Sequence, residues 1–301
     1  MTLSHDELWP RAGDWPAFDG PADAVLLGVP TWRTSLSSTG AHATPAAVRD
    51  ALRRFSPTSM GPPAVDLNEA LRIADAGDVA DPDGETGEAA VITRMRELAP
   101  ALVIAIGGDN SLTYPVALGA AATGLITFDA HFDLRDGVSN GSPVRRLVED
   151  VPSGATKTTN LDPAHIVQIG IADFANSAAY ARRAADWGIR VITLDEVRRR
   201  GISDVVDEAL EIAGTGPRAR IHLDIDVDVC DRSVAPGCPA SMPGGLAGWE
   251  LRSLTRSIAS DSRLVSADIA EVDASADVED ARTVRLAALC VLELLAGLAS
   301  R

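Results

Sequence analysis

Short apolar runs rich in Val, Ile and Leu punctuate the chain, and between them the apolar positions fall back to a helical spacing. Continuous apolar runs of strand length mark strands buried on both faces. Their alternation with helical stretches signals βαβ units and a parallel sheet. The pattern predicts strands at Ala24 to Val29, Leu102 to Ile106, Leu125 to Phe128, Ile166 to Ile169, Val191 to Leu194, Ile221 to Asp226 and Leu264 to Ile269. Helices fall between them. One opens with Thr44 as N-cap and Pro45 in the first turn, ahead of AAVRDALRRF. Others cover Glu85 to Leu98, Ser177 to Trp187, Asp204 to Ala213, Trp249 to Ala259 and Thr283 to Leu298. The Pro- and Gly-rich stretches Pro57 to Pro63 and Pro236 to Gly248 read as loops, not interdomain linkers. No internal repeat is visible, so the expectation is a single α/β domain over residues 1–301.

Composition narrows the function. With 46% hydrophobic and 23% charged residues the chain is a folded globular protein. Its net charge of −16 repels phosphate backbones and anionic bilayers, which argues against nucleic-acid and membrane partners. MTLSHDELWPRAG lacks the basic start and apolar stretch of a secretory leader, and Leu286 to Ala299 carries Glu293, so it reads as a packed helix and not a span. Cys230, Cys238 and Cys290 are too few and too unevenly spaced for a disulfide framework or a CxxC zinc site, and the expected compartment is the reducing cytoplasm. Lys157, the lone lysine, and the scattered Trp9, Trp15, Trp32, Trp187 and Trp249 suggest base composition and packing. His165 and His222 fall at strand beginnings and read as structural.

Sites in parallel sheets form at the carboxyl ends of strands. Four predicted strands run into unusual residues there: Gly107-Gly108-Asp109-Asn110-Ser111, Asp129-Ala130-His131-Phe132-Asp133, Asp224-Ile225-Asp226-Val227-Asp228 and Glu271-Val272-Asp273. So many acids side by side repel one another unless a cation sits among them. In an extended segment Asp129, His131 and Asp133 face one side, as do Asp226 and Asp228. Carboxylates with one imidazole and no thiolate suit a hard or borderline divalent ion such as Mn²⁺ better than structural zinc.

These motifs, GGDNS, FDAHFDLR, DIDVDVCDRSVAPG with PGGL after it, and ADIAEVD, occur in the order that identifies the chain as similar to the ureohydrolase (arginase and agmatinase) family, from about Leu27 to the C-terminus. The resemblance implies a three-layer α/β/α sandwich with a mainly parallel central sheet and two Mn²⁺ ions. Carried over, Asp129 and Asp226 bridge the ions, His131 and Asp228 bind one, and Asp133 the other. Asp224 stands where the family usually has serine, about 7 Å back along the strand on the same face, behind the ligands. Where the family's GGDHS has histidine, this chain has Asn110, a weaker neutral donor, so that ion is expected to be loose or absent.

The choice of substrate rests on basic residues near the metal motif. Arg135, Arg145 and Arg146 suit carboxylate, which arginine grips bidentately. Exposed pairs with Asp136 and Glu149 are the bland alternative. The run DAHFDLR followed by NGSPVR, with GIADFANS later, resembles the formimidoylglutamase branch, a hydrolase of linear amidine C–N bonds. That implies attack by hydroxide on the amidine carbon of N-formimino-L-glutamate, release of formamide and L-glutamate in histidine degradation, and Asp133 as proton carrier. Glu271 stands at the acid of the family's EVN motif and would hold the amidinium. Asp273, in place of the asparagine, would assist. Arg135, Asn140, Ser142 and Arg145 would hold the small anionic substrate. Arginase, guanidinobutyrase and agmatinase-like activities, and a non-catalytic scaffold, are the alternatives. A homo-oligomer is compatible with the sequence.

Overall fold

The computed structural model describes residues 6–61, 63–98, 102–149 and 161–301, so Met1 to His5, Pro62 and Lys157 lie outside the described residues. In chain order the strands are β1 (Ala24–Val29), β2 (Thr58–Ser59), β3 (Val65–Asp66), β4 (Ile73–Asp78), β5 (Leu102–Gly107), β6 (Gly124–Phe128), β7 (Ile166–Ile171), β8 (Arg190–Thr193), β9 (Ile221–Asp226) and β10 (Leu264–Ala270). The helices are α1 (Thr44–Leu52), α2 (Leu67–Ala70), α3 (Gly84–Leu98), α4 (Thr113–Gly119), α5 (Pro143–Glu149), α6 (Ala178–Trp187), α7 (Leu194–Arg200), α8 (Ile202–Ala213), α9 (Gly248–Ala259) and α10 (Arg282–Leu298).

Eight strands form one parallel sheet in the order β4-β1-β5-β10-β9-β6-β7-β8. Successive side chains point to opposite faces, so Leu26 joins the core under α1, α8, α9 and α10, while Val25 and Leu27 join the one under α3 and α4. Farther along that second face, α4, α5 and α6 share a third core with Leu125 and Ile166. Helices thus cover both faces, which makes the expected three layers. The chain builds β1, β4 and β5 on one side and β6 to β8 on the other, and then fills the gap with β10 and β9. The motif-bearing strands β5, β10, β9 and β6 are consequently neighbours, at the place where such sheets open a crevice.

Three local expectations need correction. Thr44 is not the N-cap of α1. A 3₁₀ turn, Ala41–Ala43, leads into the helix, and the Thr44 hydroxyl donates instead to the Val272 carbonyl. Within Pro57 to Pro63, Thr58–Ser59 pairs antiparallel with Val65–Asp66. Trp9, Trp32 and Trp249 are exposed, and only Trp15 and Trp187 pack against the core. Glu293 on α10 meets Arg252 and Arg256 of α9, the partners that make an acid tolerable on an otherwise apolar face. No helix among the described residues is long and apolar enough to cross a membrane.

Candidate metal centre

The four neighbouring strand ends deliver their acids to one place. Ligand atoms of Asp129, His131 and Asp228 lie within 4.8 Å of one another, and so do those of Asp129, Asp133 and Asp226; each group could hold a metal ion. Asp129 belongs to both. Asp129, Asp133, Asp226 and Asp228 are buried, and His131 is partly so.

The convergence does not come from extended alternation, as the sequence suggested. The Asp129 Oδ1 accepts the His131 backbone N–H at 2.6 Å, and the Asp226 Oδ1 accepts that of Asp228 at 2.8 Å. Each short carboxylate closes a turn on its own chain, the local preference of aspartate. The turn after β9 continues as a 3₁₀ helix, Val227–Val229. The loop after β6 curls until Asp133 adopts φ +52°, and Glu271 adopts φ +60°. Left-handed backbone at a residue other than glycine is strained, and here it occurs at two acids of the site.

The electrostatics are those of a cation site. Burial pushes Asp129 and Asp226 well above the ordinary carboxylate range, and neighbouring aspartates add to it. Burial likewise raises Asp133 to about 7 and Glu271 to about 8. The Asp129 Oδ2 is buried with no hydrogen-bond partner among the described residues. His131 Nδ1 lies 2.7 Å from Asp228 Oδ2 and 3.4 Å from Asp129 Oδ1. Burial works to lower the imidazole, but Asp228 and Asp129 overcome it and hold His131 up to about 12. Burial would raise Asp228, yet His131 holds it low. A proton on the imidazole thus occupies the space between carboxylates that a divalent cation would neutralise more fully. An orphaned carboxylate oxygen and a donor set of carboxylate oxygens with one imidazole nitrogen fit a hard or borderline divalent ion.

Asn110 is buried beside the cluster, although with the opposite end of its amide from the one ligation needs. Its Nδ2 donates to Asp133 Oδ2 at 2.7 Å, while its Oδ1 accepts from the Thr113 hydroxyl at 2.7 Å. A half-turn of the amide exchanges the two, since a hydroxyl also accepts from an N–H. Asp224 sits one same-face step below Asp226, in register with Thr127 and Asp268. It is buried with both oxygens unpartnered among the described residues, and burial together with Asp268 raises it strongly. His222, also buried, joins this row through Asp268 at 3.0 Å and Ser266 at 2.8 Å.

A cavity of 560 Å³ opens over the cluster, lined by His131, Asp133, Asp226, Asp228, Glu271, Arg135 and Asn140 among others. Glu271 Oε1 accepts from the Asn140 Nδ2 and the Asn110 backbone N–H, both at 2.8 Å. The Arg135 guanidinium is exposed on the cavity wall and makes no hydrogen bond or ion pair among the described residues. Two expected substrate residues, Ser142 and Arg145, do not line it. Ser142 is fully buried, bonded to Ser139 N–H and O, and Arg145 gives its guanidinium to the carbonyls of Arg135 and Gly137 and to Glu149. Both shape the loop that carries Arg135. Arg146 pairs bidentately with Glu88. Asp273 spends its oxygens on Gly40, Ser275 and Ala276 N–H groups and ties down a neighbouring loop, which holds its carboxyl below the ordinary range despite burial. The cavity also has Asn176 of the GIADFANS segment on its wall, together with Tyr180 and Arg183, which the sequence did not single out because they follow a different strand, β7. The GIADFANS likeness was the available signal.

The model of the arginase family matches residues 22–297. A formimidoylglutamase of Halalkalibacterium halodurans is 35% identical, the match covering 90% of this chain and 86% of that protein. A guanidinopropionase of Pseudomonas aeruginosa is 32% identical over 94% and 90%. Among solved structures, the formimidoylglutamase of Bacillus subtilis superposes with a TM-score of 0.88 at 30% identity, covering 99% of this chain and 94% of that one.

Proposed function

The chain belongs to the arginase family, and from that premise we propose that it hydrolyses N-formimino-L-glutamate to L-glutamate and formamide with two Mn²⁺ ions as cofactor. Asp129 and Asp226 would be shared between the ions, with His131 and Asp228 holding one and Asp133 and Asn110 the other, the amide turned to present its oxygen. Asn110 is the weak donor of the set. When bound, such a pair supplies Lewis acidity that makes hydroxide available from water near neutral pH.

The chain's own residues do the rest. Asp133, which lines the cavity, would take a proton and pass it to the departing nitrogen of glutamate. Glu271 Oε2 makes no hydrogen bond among the described residues and lines the cavity, where it can accept from the amidinium end of the substrate. Asn140 fixes that carboxylate and is itself fixed by the Leu36 N–H at 3.0 Å.

The observation that carries the reading is Arg135. A chain of net charge −16 leaves the Arg135 guanidinium without a hydrogen bond or ion pair among the described residues, on the wall of an acid-floored cavity, which suits a substrate that carries carboxylate of its own. Agmatine, which has none, suits it poorly. A hydrolysis screen of formiminoglutamate, arginine, agmatine and guanidinobutyrate with Mn²⁺ tests the proposal. The highest kcat/KM is expected for formiminoglutamate, and a preference for any of the guanidines would refute it.

A further inference from the structure

We infer that Arg183 is the second carboxylate-holding arginine of this cavity, so that Arg135 and Arg183 each grip a different carboxylate of a dicarboxylic amidine; this rests on the function proposed above. A substrate with two carboxylates needs two separated cationic groups, because one guanidinium offers its bidentate geometry to one carboxylate at a time. The sequence offers Arg145 for the second place, but the structure commits Arg145 to backbone carbonyls. Arg183, one turn along α6 from Tyr180, lines the same cavity as Arg135, Asp133 and Glu271.

Its guanidinium is held on one side only. Nη1 donates to the Leu134 carbonyl at 2.7 Å and to Asp136 Oδ1 at 2.8 Å, while the group lies 5.5 Å from the Tyr180 ring and 5.9 Å from that of Trp187. Nε and Nη2 make no hydrogen bond among the described residues. That edge presents two parallel N–H groups, the fork that matches a carboxylate. The existing ion pair does not consume the charge: Asp136 is 78% exposed and Arg183 30%, and a pair so open to water is weak. The carbonyl and the rings meanwhile hold the side chain in place, which lowers the entropy lost when a ligand is gripped. Arg135 extends from the loop after β6 and Arg183 from the helix after β7, so the two approach the cavity from different walls.

Arg183 also holds the carbonyl next to Asp133, so a mere loss of activity on replacement would not separate gripping from bracing. The test therefore compares three substrates: N-formimino-L-glutamate, N-formimino-4-aminobutyrate, which lacks the carboxylate beside the formimino nitrogen, and N-formimino-L-norvaline, which lacks the distal one. R183A should lower kcat/KM for the diacid by about 10–100-fold, the scale of a lost charge-assisted contact, and by less than about 3-fold for the one analogue that lacks its carboxylate. R135A should show the complementary pattern, with bound metal equal in all three proteins. R183K, which keeps the charge without the fork, should fall between parent and R183A on the diacid and on the analogue that keeps the carboxylate Arg183 grips. An equal loss on all three substrates would make Arg183 a brace. No loss on any, or sensitivity of both arginines to the same analogue, would equally overturn the two-carboxylate assignment. Failure of the parent protein to hydrolyse formiminoglutamate would instead overturn the functional reading beneath it.

Discussion

Replacing Arg146 by alanine should cost stability and leave the chemistry alone, although Arg146 follows the metal motif as closely in sequence as Arg145 does. Its two Nη atoms reach Glu88 at 2.7 and 2.8 Å, the two side chains are 8% and 16% exposed, and the guanidinium lies 3.7 Å from the centre of the Tyr114 ring. Arg146→Ala strands the Glu88 carboxylate in a nearly dry place, and breaking such a pair costs about 3–5 kcal/mol. With an unfolding entropy of about 2.1 cal/mol/K per residue, a chain of 301 residues loses about 0.6 kcal/mol per degree at its midpoint, so Tm should fall by about 5–8 °C. Removing both partners, Arg146→Met with Glu88→Leu, should recover much of that loss, since no charge is left unpaired. Differential scanning calorimetry of the two variants, with kcat/KM measured well below either Tm, decides the matter. An Arg146→Ala protein with unchanged Tm and a large loss in kcat/KM would show that Arg146 serves the substrate and not the fold.

Arg135→Ala should behave in the opposite way, with kcat/KM for formiminoglutamate lower by about 10–1,000-fold and both Tm and metal content unchanged, because the exposed guanidinium makes no hydrogen bond or ion pair among the described residues; full activity in the variant would refute the carboxylate contact. Asn110→His should raise the affinity of one Mn²⁺ by about 10–100-fold, read by calorimetric titration, and identical two-site affinities in the two proteins would exclude Asn110 as a ligand. In metal-free protein stability should fall as pH rises from about 4 through 8, because the folded state keeps protons on Asp129, Asp226, Asp133 (about 7) and Glu271 (about 8) that the unfolded chain has released. His131, held up to about 12 against an ordinary 6.5, adds to the fall above neutrality, whereas Asp228, held low, acts in the other direction only below about pH 4. Thermal melts of chelator-treated protein should show this, Mn²⁺ should protect most at the alkaline end, and a Tm that rises with pH would contradict it.

The central strands were legible because burial on both faces leaves continuous apolar runs, as in Leu102–Gly107 and Gly124–Phe128. The edge strand Ile73–Asp78 was not, since its sequence IADAGD ends in residues that face water and meet Arg49 through Asp75 and Asp78. The short helices α4, α5 and α7 were also missed, because seven residues give too little period to read. At the site, residue type pointed to the acids that the fold brings together as a group able to hold a metal ion, as a carboxylate at a buried strand end has few other uses. Residue type could not tell the arginines apart. Arg135, Arg145 and Arg146 share one loop and helix, and only tertiary partners decide which of them faces the cavity: the carbonyls of Arg135 and Gly137 for Arg145, and Glu88 on α3 for Arg146. Arg183 lies far along the chain and joins the cavity because β7 pairs with β6.

Carbon-13 NMR of N-formimino-L-glutamate labelled at the formimino carbon, followed during incubation with the Mn²⁺-loaded protein, tests the central claim most directly. Cleavage of the bond to the glutamate nitrogen sends the label into formamide, and chelation of the metal should abolish its appearance. Label found in N-formylglutamate would mean that ammonia leaves instead, and an unchanged substrate signal with full metal loading would mean that this amidine is not the substrate; either result contradicts the account.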